Sequence, residues 1–178
     1  MYPVFKRILD FLISLVALAV LWPILLLLGL TVRLTSPGPA LFAQVRSGRG
    51  LKPFRIYKFR TMYTTAPSDT PTHQLSGAQN YITPLGAFLR KTSLDELPQL
   101  WNILRGDMAL VGPRPPLPTQ TDLIAERARY GANDLRPGLT GWAQINGRDE
   151  LPIPEKAALD GEYVRRMSLK FDMKCILG

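Results

Sequence analysis

Cysteine and histidine are almost absent from the sequence, with one residue of each, Cys175 and His73. A single cysteine excludes an internal disulfide bond and fits a reducing compartment. One cysteine and one histidine also leave too few ligands of the kinds that structural zinc sites use. Aromatic residues interleaved with basic ones, which would stack on the bases of single-stranded nucleic acid, are sparse.

Acidic residues are outnumbered, with 14 Asp and Glu against 22 Lys and Arg, and the net charge is +8. A basic chain suits an anionic partner, which leaves nucleic acid, anionic lipid and a phosphorylated small molecule open. The chain has 178 residues, of which 46% are hydrophobic. This is enough for one compact core with a membrane element attached.

Charge is missing altogether from residues 11–32, FLISLVALAVLWPILLLLGLTV. The run is long enough to cross the core of a bilayer, which takes about 20 helical residues. A secretory signal peptide is disfavoured because its apolar region would be shorter, about 7–15 residues, and would end at a cleavage site of small residues. A buried core helix is disfavoured because the run has no polar face. The sequence therefore predicts a membrane helix.

Trp22 and Pro23 stand at the middle of this run. Proline removes a backbone hydrogen bond and clashes with the preceding turn, which predicts a kink at this point. Lys6 and Arg7 precede the run and Arg33 follows it, so the flanking charges give no orientation across a membrane. Two geometries stay open on this basis. One is a kinked spanning helix, and the other is a re-entrant hairpin that enters and leaves by the cytoplasmic leaflet.

Beyond the membrane segment, local patterns predict short elements joined by loops. Residues 54–62, FRIYKFRTM, alternate apolar and basic side chains and predict a strand. Residues 64–80 are polar and predict a loop, so we assign no catalytic role to His73 within it. Thr83 followed by Pro84 predicts the start of a helix, with threonine as the cap and proline in the first turn.

Asp95 and Glu96 stand side by side in the stretch SLDELPQLWNILRG. Ser93 and Glu96 have the spacing of a capping box, although Pro98 favours a helix start nearer Leu94 or Asp95. In either register both acids occupy the first turn of a helix, where the helix dipole favours negative charge. Acids are common at helix starts, so the pair by itself predicts a helix terminus and no more.

Arg114 changes that interpretation because it lies between Pro113 and Pro115, which restrict its backbone and reduce the entropy lost on binding. Its planar guanidinium suits phosphate oxygens. A carboxylate kept ionised by a helix start can act as a nucleophile, but attack on a phosphate requires cations that screen the like charge. Arg90 and a divalent metal would supply them, and Glu96 could hold Mg²⁺. The sequence therefore predicts an acidic centre beside a phosphate-binding arginine.

Four stretches of the chain together resemble the bacterial sugar transferase family, the monotopic polyprenyl-phosphate phosphoglycosyl transferases. They are FKRILDFLISLVAL with Trp22-Pro23, YKFRTM, LRKTSLDELPQLWNILRGDMALVGPRP and RPGLTGWAQINGR. Each stretch alone is a weak signal, but the combination is highly specific, and it spans most of the chain in order.

The resemblance implies a fold and a location. The fold would be mixed α/β and mostly helical, with a re-entrant membrane helix hairpin in residues 1–35 and a small cytosolic catalytic domain with amphipathic interfacial helices in residues 36–178. The location would be the cytoplasmic face of the bacterial inner membrane. The C-terminal stretch GEYVRRMSLKFDMKCILG fits an amphipathic helix against lipid or an ordinary packed helix. Relatives usually continue with another apolar helical stretch, so we expect this chain to be shortened there.

The resemblance also implies an activity, the Mg²⁺-dependent transfer of a sugar-1-phosphate from a UDP-sugar to polyprenyl (undecaprenyl) phosphate with release of UMP. Asp95 would be the nucleophile that forms a covalent phosphosugar intermediate, and Glu96 would help to hold the metal. The partners would be the two substrates and membrane lipid, without nucleic acid, and a homo-oligomer is compatible with them. The alternative is a non-catalytic, membrane-anchored module that binds anionic lipid or nucleic acid.

The substrate site that the resemblance implies is basic. Arg90 and Arg114 match family arginines at the phosphate site, and Pro113 and Pro115 belong to the same turn as Arg114. Further basic residues lie in matching motifs without individual roles. They are Lys58, Arg60, Arg136 and Arg148.

Overall fold

The computed structural model describes residues 2–67, 77–147 and 150–178. Within these ranges the chain forms eight α-helices and four short β-strands, so the predicted mixed and mostly helical class is confirmed. The helices are α1 Tyr2–Thr35, α2 Ala78–Tyr81, α3 Pro84–Lys91, α4 Gln99–Arg105, α5 Thr121–Ala128, α6 Trp142–Ile145, α7 Ile153–Arg166 and α8 Leu169–Leu177. The strands are β1 Leu41–Ser47, β2 Pro53–Phe59, β3 Ala109–Val111 and β4 Gly138–Thr140.

The apolar run forms most of α1, which is long and apolar enough to cross a membrane. One face of α1 packs on the rest of the chain, through Leu18 and Leu21 near its middle and Leu28 and Val32 towards its end. The other face leaves large apolar side chains exposed, and only 6% of the most apolar 18-residue window is buried. A continuous exposed apolar surface of this kind is typical of a membrane contact.

The structure describes α1 as one continuous helix with Pro23 inside it, so the re-entrant hairpin is not confirmed. Proline removes one backbone donor, but the bonds of the flanking turns remain, and a long helix accommodates it without a break in the helix. Both ends of α1 contact the same folded unit. Near its start, Lys6 Nζ lies 2.7 Å from Asp172 Oδ2 in α8, and directly after its end the carbonyl of Ser36 accepts a bond from Arg60 at 2.8 Å.

β1 and β2 form an antiparallel hairpin in which Leu41 pairs with Phe59 and Ser47 with Pro53. The strand predicted from the alternating residues 54–62 is thereby confirmed, although it ends at Phe59. Side chains two residues apart on a strand share one face. The face of β2 that buries Ile56 against α4 therefore also presents Lys58 to the segment before α4.

β3 and β4 pair in parallel, and three glycines bring the backbones next to them into close contact. A Cβ added at Gly138 would lie 2.1 Å from the nitrogen of Gly112, and one at Gly141 would lie 2.1 Å from the oxygen of Gly112. A Cβ at Gly112 would lie 2.4 Å from the carbonyl oxygen of Arg136. These contacts have no room for a side chain, so the glycines of VGPRP and RPGLTGW serve backbone packing behind the proline turn.

Gly138→Ala should destabilise the fold, because the added methyl group must displace the backbone of Gly112 and with it the turn that carries Arg114. We expect the free energy of unfolding to fall by about 2 kcal/mol or more, as at overpacked sites. The measurement is the Tm of the purified protein in detergent.

Gly29→Ala in α1 is the matched control for this substitution. Its Cβ would meet side chains at ordinary distances of 3.6 and 3.9 Å, and alanine has a higher helix propensity than glycine, so the Tm should not fall. An unchanged Tm in the Gly138 variant would contradict the close backbone contact.

Candidate active site

Asp95 and Glu96 lie in a 3₁₀ turn, Leu94–Glu96, that precedes α4. Of the two registers left open, the one with a helix start at Leu94 is observed, and the capping box is not formed. Ser93 has a left-handed backbone with a φ of 57°, and its side chain caps no N–H in the part of the chain that the structure describes. The acids therefore lie on a tight turn of their own.

Pro98 explains why the segment opens with a 3₁₀ turn and becomes α-helical only at Gln99. In an α-helix residue 98 would donate its N–H to the carbonyl of Leu94, but proline has no N–H. The N–H of Leu97 bonds that carbonyl instead, at 3.3 Å, which closes a 3₁₀ turn. Both acids occupy the first turn of a helix, as predicted, but this helix is the 3₁₀ segment Leu94–Glu96. α4 itself begins at Gln99.

Glu96 joins three separate segments of the chain. Its Oε1 lies 2.7 Å from Lys58 Nζ on β2 and 3.5 Å from Arg114 Nη1 on the turn after β3. Glu96 and Asp95 are each only 7% exposed. An isolated buried carboxylate is costly, so partners of opposite charge are required at this depth. The fold thus brings Lys58, Arg114 and the acidic pair into one site.

Arg90, in the last turn of α3, is a third cation near the acidic pair, and its charge acts on Asp95. Its Nε donates to Thr61 Oγ1 at 2.8 Å. α3 is docked on the same residue, since a Cβ added at Gly86 would lie 2.0 Å from the Thr61 carbonyl oxygen. The predicted start of α3 is confirmed, because Thr83 Oγ1 accepts the N–H of Gly86 at 2.9 Å. Thr61 itself is a site residue that the sequence patterns did not single out.

Burial dominates the electrostatics of this site. It raises the pKa of Asp95 above the ordinary value, and the Glu96 charge acts in the same direction, while Lys58 and Arg90 oppose both. Burial is the main cause that lowers the pKa of Lys58, and the charge of Arg114 lowers it further, while the charge of Glu96 raises it. Three cations thus face two carboxylates in poorly hydrated surroundings, which leaves positive charge for an anionic ligand.

Arg60 holds the segment that follows α1. Its Nε donates to the Pro39 carbonyl at 2.7 Å and its Nη2 to the Ser36 carbonyl at 2.8 Å, and its Nη1 bonds the Pro37 carbonyl. The side chain is buried. The structure therefore places Arg60 as a link between β2 and the end of α1, whereas the resemblance assigned it to the substrate site.

Arg136 lies at the opposite end of α4 from the acidic pair. Its Nε donates to the Gly106 carbonyl at 3.0 Å. Arg7 of α1 donates to the neighbouring carbonyls of Ile103 and Leu104, at 2.6 and 2.9 Å. Carbonyls at a helix C-terminus lack partners within the helix, and cations there complement its dipole. The position of Arg136 is therefore that of a helix cap.

Two residues of the sequence analysis lie outside the described ranges. They are Arg148, which the resemblance assigned to the substrate site, and His73, to which we assigned no role. The proline turn is fully described. Pro113 and Pro115 are buried, and Arg114 between them reaches Glu96.

The donors of this site suit a divalent metal only together with a substrate. Within residues 2–67, 77–147 and 150–178, no group of three or more His, Cys, Asp or Glu side chains could hold a metal ion. Asp95 and Glu96 offer carboxylate oxygens, and Mg²⁺ is commonly held by one or two carboxylates plus substrate phosphates. Lys58 supplies the positive charge beside Glu96 in this structure. The donor set fits Mg²⁺ bound with a diphosphate, rather than a metal site formed by protein alone.

A model of the bacterial sugar transferase family matches the whole chain, residues 1–178. The chain belongs to this family. It is 41% identical over 96% of its length to a Komagataeibacter xylinus protein named undecaprenyl-phosphate glucose phosphotransferase. It is 44% identical over 97% of its length to a Caulobacter vibrioides protein named UDP-glucose:undecaprenyl-phosphate glucose-1-phosphate transferase. It is 35% identical over 97% of its length to an Aeromonas hydrophila protein named UDP-N-acetylgalactosamine-undecaprenyl-phosphate N-acetylgalactosaminephosphotransferase. The chain spans 34%, 67% and 42% of the lengths of these three relatives.

Lys58→Met and Glu96→Gln should each destabilise the protein, because each leaves a buried charge without its main partner. We expect each to lower the free energy of unfolding by about 2 kcal/mol, below the value for a fully buried pair because the Lys58 side chain retains 19% exposure. The free energy of unfolding of the double variant should fall by clearly less than the sum of the two single losses. The measurement is a double-mutant cycle on thermal or chemical unfolding.

Arg129→Met and Glu126→Gln provide the control cycle with the same substitution types. This ion pair lies at the C-terminal end of α5 and the Arg129 side chain is 73% exposed, so its coupling should be near zero. Equal coupling in the two cycles would contradict a buried ionic contact at Glu96.

Proposed function

We propose that the protein transfers a sugar-1-phosphate from a UDP-sugar to polyprenyl phosphate and releases UMP. The observation that carries the proposal is the buried Asp95–Glu96 pair, with Lys58 and Arg114 on Glu96 and Arg90 near Asp95. The names of the Komagataeibacter, Caulobacter and Aeromonas relatives support the same reaction class, with glucose or N-acetylgalactosamine as the sugar. Such a transfer is the first membrane step in the assembly of a glycoconjugate.

The chemistry of the first step is a displacement at the sugar-proximal phosphorus of the donor. A carboxylate oxygen of Asp95 forms a bond to this phosphorus, and the bond to the bridging oxygen breaks. That oxygen keeps the electron pair and leaves as part of UMP. Arg90 and Arg114 offer planar donor groups to the phosphate oxygens and screen the repulsion between two anions. The product on the protein is an aspartyl phosphosugar.

The second step returns the carboxylate to its starting state. A phosphate oxygen of polyprenyl phosphate attacks the phosphorus of the aspartyl phosphosugar, and the bond to the Asp95 oxygen breaks. The product is a polyprenyl-diphospho-sugar. Burial of Asp95 limits the access of water, which would otherwise hydrolyse the intermediate.

We propose Mg²⁺ as the cofactor, with Glu96 as the residue that would hold it. When bound, the ion would neutralise charge on the donor diphosphate. Lys58 lies on the same carboxylate and keeps its charge compensated in the protein alone.

We further propose that the chain sits on one face of the bacterial inner membrane, the cytoplasmic one, and inserts α1 without crossing. The two ends of α1 both contact the folded unit, through Lys6 and Asp172 at one end and through Ser36 and Arg60 at the other. A spanning helix separates its ends by a hydrocarbon core of about 30 Å. The folded unit would then have to lie inside the bilayer, where the open edges of its two-stranded sheets would lack hydrogen-bond partners. Insertion into one leaflet avoids this cost and keeps both ends of α1 at the same membrane face, as a re-entrant segment also would. In this placement the exposed apolar face of α8 would contact lipid as well.

Asp95→Asn should abolish the reaction, because a neutral amide oxygen is a poor nucleophile and forms no stable phosphosugar adduct. We expect UMP release to fall by at least about 1000-fold. Without acceptor, wild-type protein incubated with a panel of sugar-labelled UDP-sugars and Mg²⁺ should carry the label, and EDTA should prevent labelling. The Asp95 variant should carry none. The measurements are UMP release and intact-protein mass spectrometry.

Asp122→Asn is the control for the loss of one negative charge, since Asp122 is exposed in the first turn of α5. It should retain full labelling and turnover. Labelled protein and normal turnover in the Asp95 variant would refute the assigned nucleophile. A wild-type chain that binds UDP-sugars but releases no UMP would refute the reaction and leave a binding module.

Labelling of introduced cysteines with a membrane-impermeant maleimide tests the placement of α1. In a Cys175→Ala background, Val4→Cys and Thr35→Cys place single thiols near the two ends of the helix, and both positions are exposed. We expect neither to react in intact spheroplasts and both to react after lysis. Lys52→Cys, between β1 and β2, is the control for the cytosolic face. Reaction of the Val4 or Thr35 variant in intact cells would show that α1 crosses the membrane.

A further inference from the structure

The backbone of the turn that carries Arg114 has few N–H groups, so hydrogen bonds can hold it mainly through its carbonyl oxygens. Residues 113–116 read Pro-Arg-Pro-Pro, so three of four positions have no backbone N–H. Buried backbone polar groups require partners, and here the carbonyl oxygens are the groups that can take them. The donors to these carbonyls therefore set the position of the Arg114 backbone.

Each of the four carbonyls accepts a hydrogen bond from a different residue. Two of the donors are backbone groups, Gly138 N–H to the Pro113 carbonyl at 2.9 Å and Ser47 N–H to the Pro116 carbonyl at 3.0 Å. The other two are side chains. They are Arg46 Nη1 to the Pro115 carbonyl at 3.1 Å and Arg127 Nη1 to the Arg114 carbonyl at 2.9 Å.

Arg127 is the donor that acts on Arg114 itself, and its guanidinium is rigidly held. It lies on α5, is 2% exposed, and donates Nε to Asp160 Oδ2 on α7 at 2.7 Å, while Nη2 lies 2.6 Å from the same oxygen. These two contacts hold the guanidinium in place, so the direction of the third donor, Nη1, is restricted as well. An ion pair that only joined α5 to α7 would need no bond to the proline turn.

We infer that Arg127, oriented by Asp160, is a positioning residue for Arg114. It sets the backbone from which the Arg114 side chain reaches Glu96 at 3.5 Å and, on the proposed function, the phosphates of the nucleotide donor. Arg127 touches neither phosphate nor nucleophile in this scheme. It acts through the Arg114 carbonyl, and the inference rests on the proposed role of Arg114.

The test is a double-mutant cycle on UDP binding, measured by isothermal titration calorimetry in the presence of Mg²⁺. The variants are Arg127→Met, Arg114→Met and the two combined, with Arg129→Met, directly after the end of the same helix, as the control. We expect Arg127→Met to weaken UDP binding about tenfold, since displacement of a positioned group costs one to two orders of magnitude. In the Arg114→Met background, Arg127→Met should have no further effect. Arg129→Met should bind UDP like wild type.

Circular dichroism and Tm show whether Arg127→Met remains folded. If it does not, Asp160→Asn replaces it in the same cycle, because the amide oxygen still accepts from Arg127 while the charge that orients it is gone. The same pattern is then expected with a smaller loss, about threefold.

The outcomes separate the inference from the function on which it rests. If Arg114→Met leaves UDP binding unchanged, the phosphate role of Arg114 is wrong and the inference falls with it. If Arg114→Met weakens binding but the Arg127 or Asp160 variant does not, the inference alone is overturned. The same holds if that variant weakens binding equally with and without Arg114, because its effect then reaches UDP by another route.

Discussion

One ionic contact, between the Glu96 carboxylate and the Lys58 ammonium at 2.7 Å, ties together the parts of the molecule that form the candidate site. The carboxylate stands on a tight turn before α4 and the ammonium on β2. Arg114 reaches the same oxygen from a third segment. Each of these charges would be costly to bury alone, so none of the three segments can move independently without leaving a charge uncompensated. The same surplus of cations that stabilises the two acids in the protein alone gives the site its attraction for an anionic ligand.

The end of β2 and the residues directly after it connect the candidate site to α1. Lys58 faces the acidic pair, Phe59 packs with Val32 of α1, and Arg60 bonds the carbonyls of the segment that leaves α1. Thr61, next in the chain, accepts a hydrogen bond from Arg90. Four adjacent residues therefore connect the site, the core, the end of α1 and the arginine of α3. On the proposed function, this connection fixes the depth of the site relative to the lipid that presents the acceptor.

Local signals account for the parts of the fold that the sequence predicts correctly. The alternation in FRIYKFRTM, the Thr83-Pro84 cap and the uncharged run of α1 each depend on neighbours in the chain. At Ser93 two local rules competed, and the helix start at Leu94 that Pro98 favours is observed instead of the capping box. Arg127 and Asp160 are 33 residues apart and neither stands in a distinctive pattern, so only the packing of α5 on α7 reveals the pair.

The arginines show why a motif cannot assign roles on its own. A guanidinium donates equally well to a phosphate, a carboxylate or a carbonyl at the end of a helix, so the residue type does not decide among them. The fold shows which partners each guanidinium already has. Arg60 is buried and bonds the carbonyls of several residues after α1, and Arg136 bonds the end of α4. Arg114 differs in two respects, since its backbone is held while its side chain meets Glu96 only at 3.5 Å and stays 29% exposed. A guanidinium whose backbone is held and whose ionic contact is loose can exchange a carboxylate for a phosphate at less cost than one already bonded to several carbonyls.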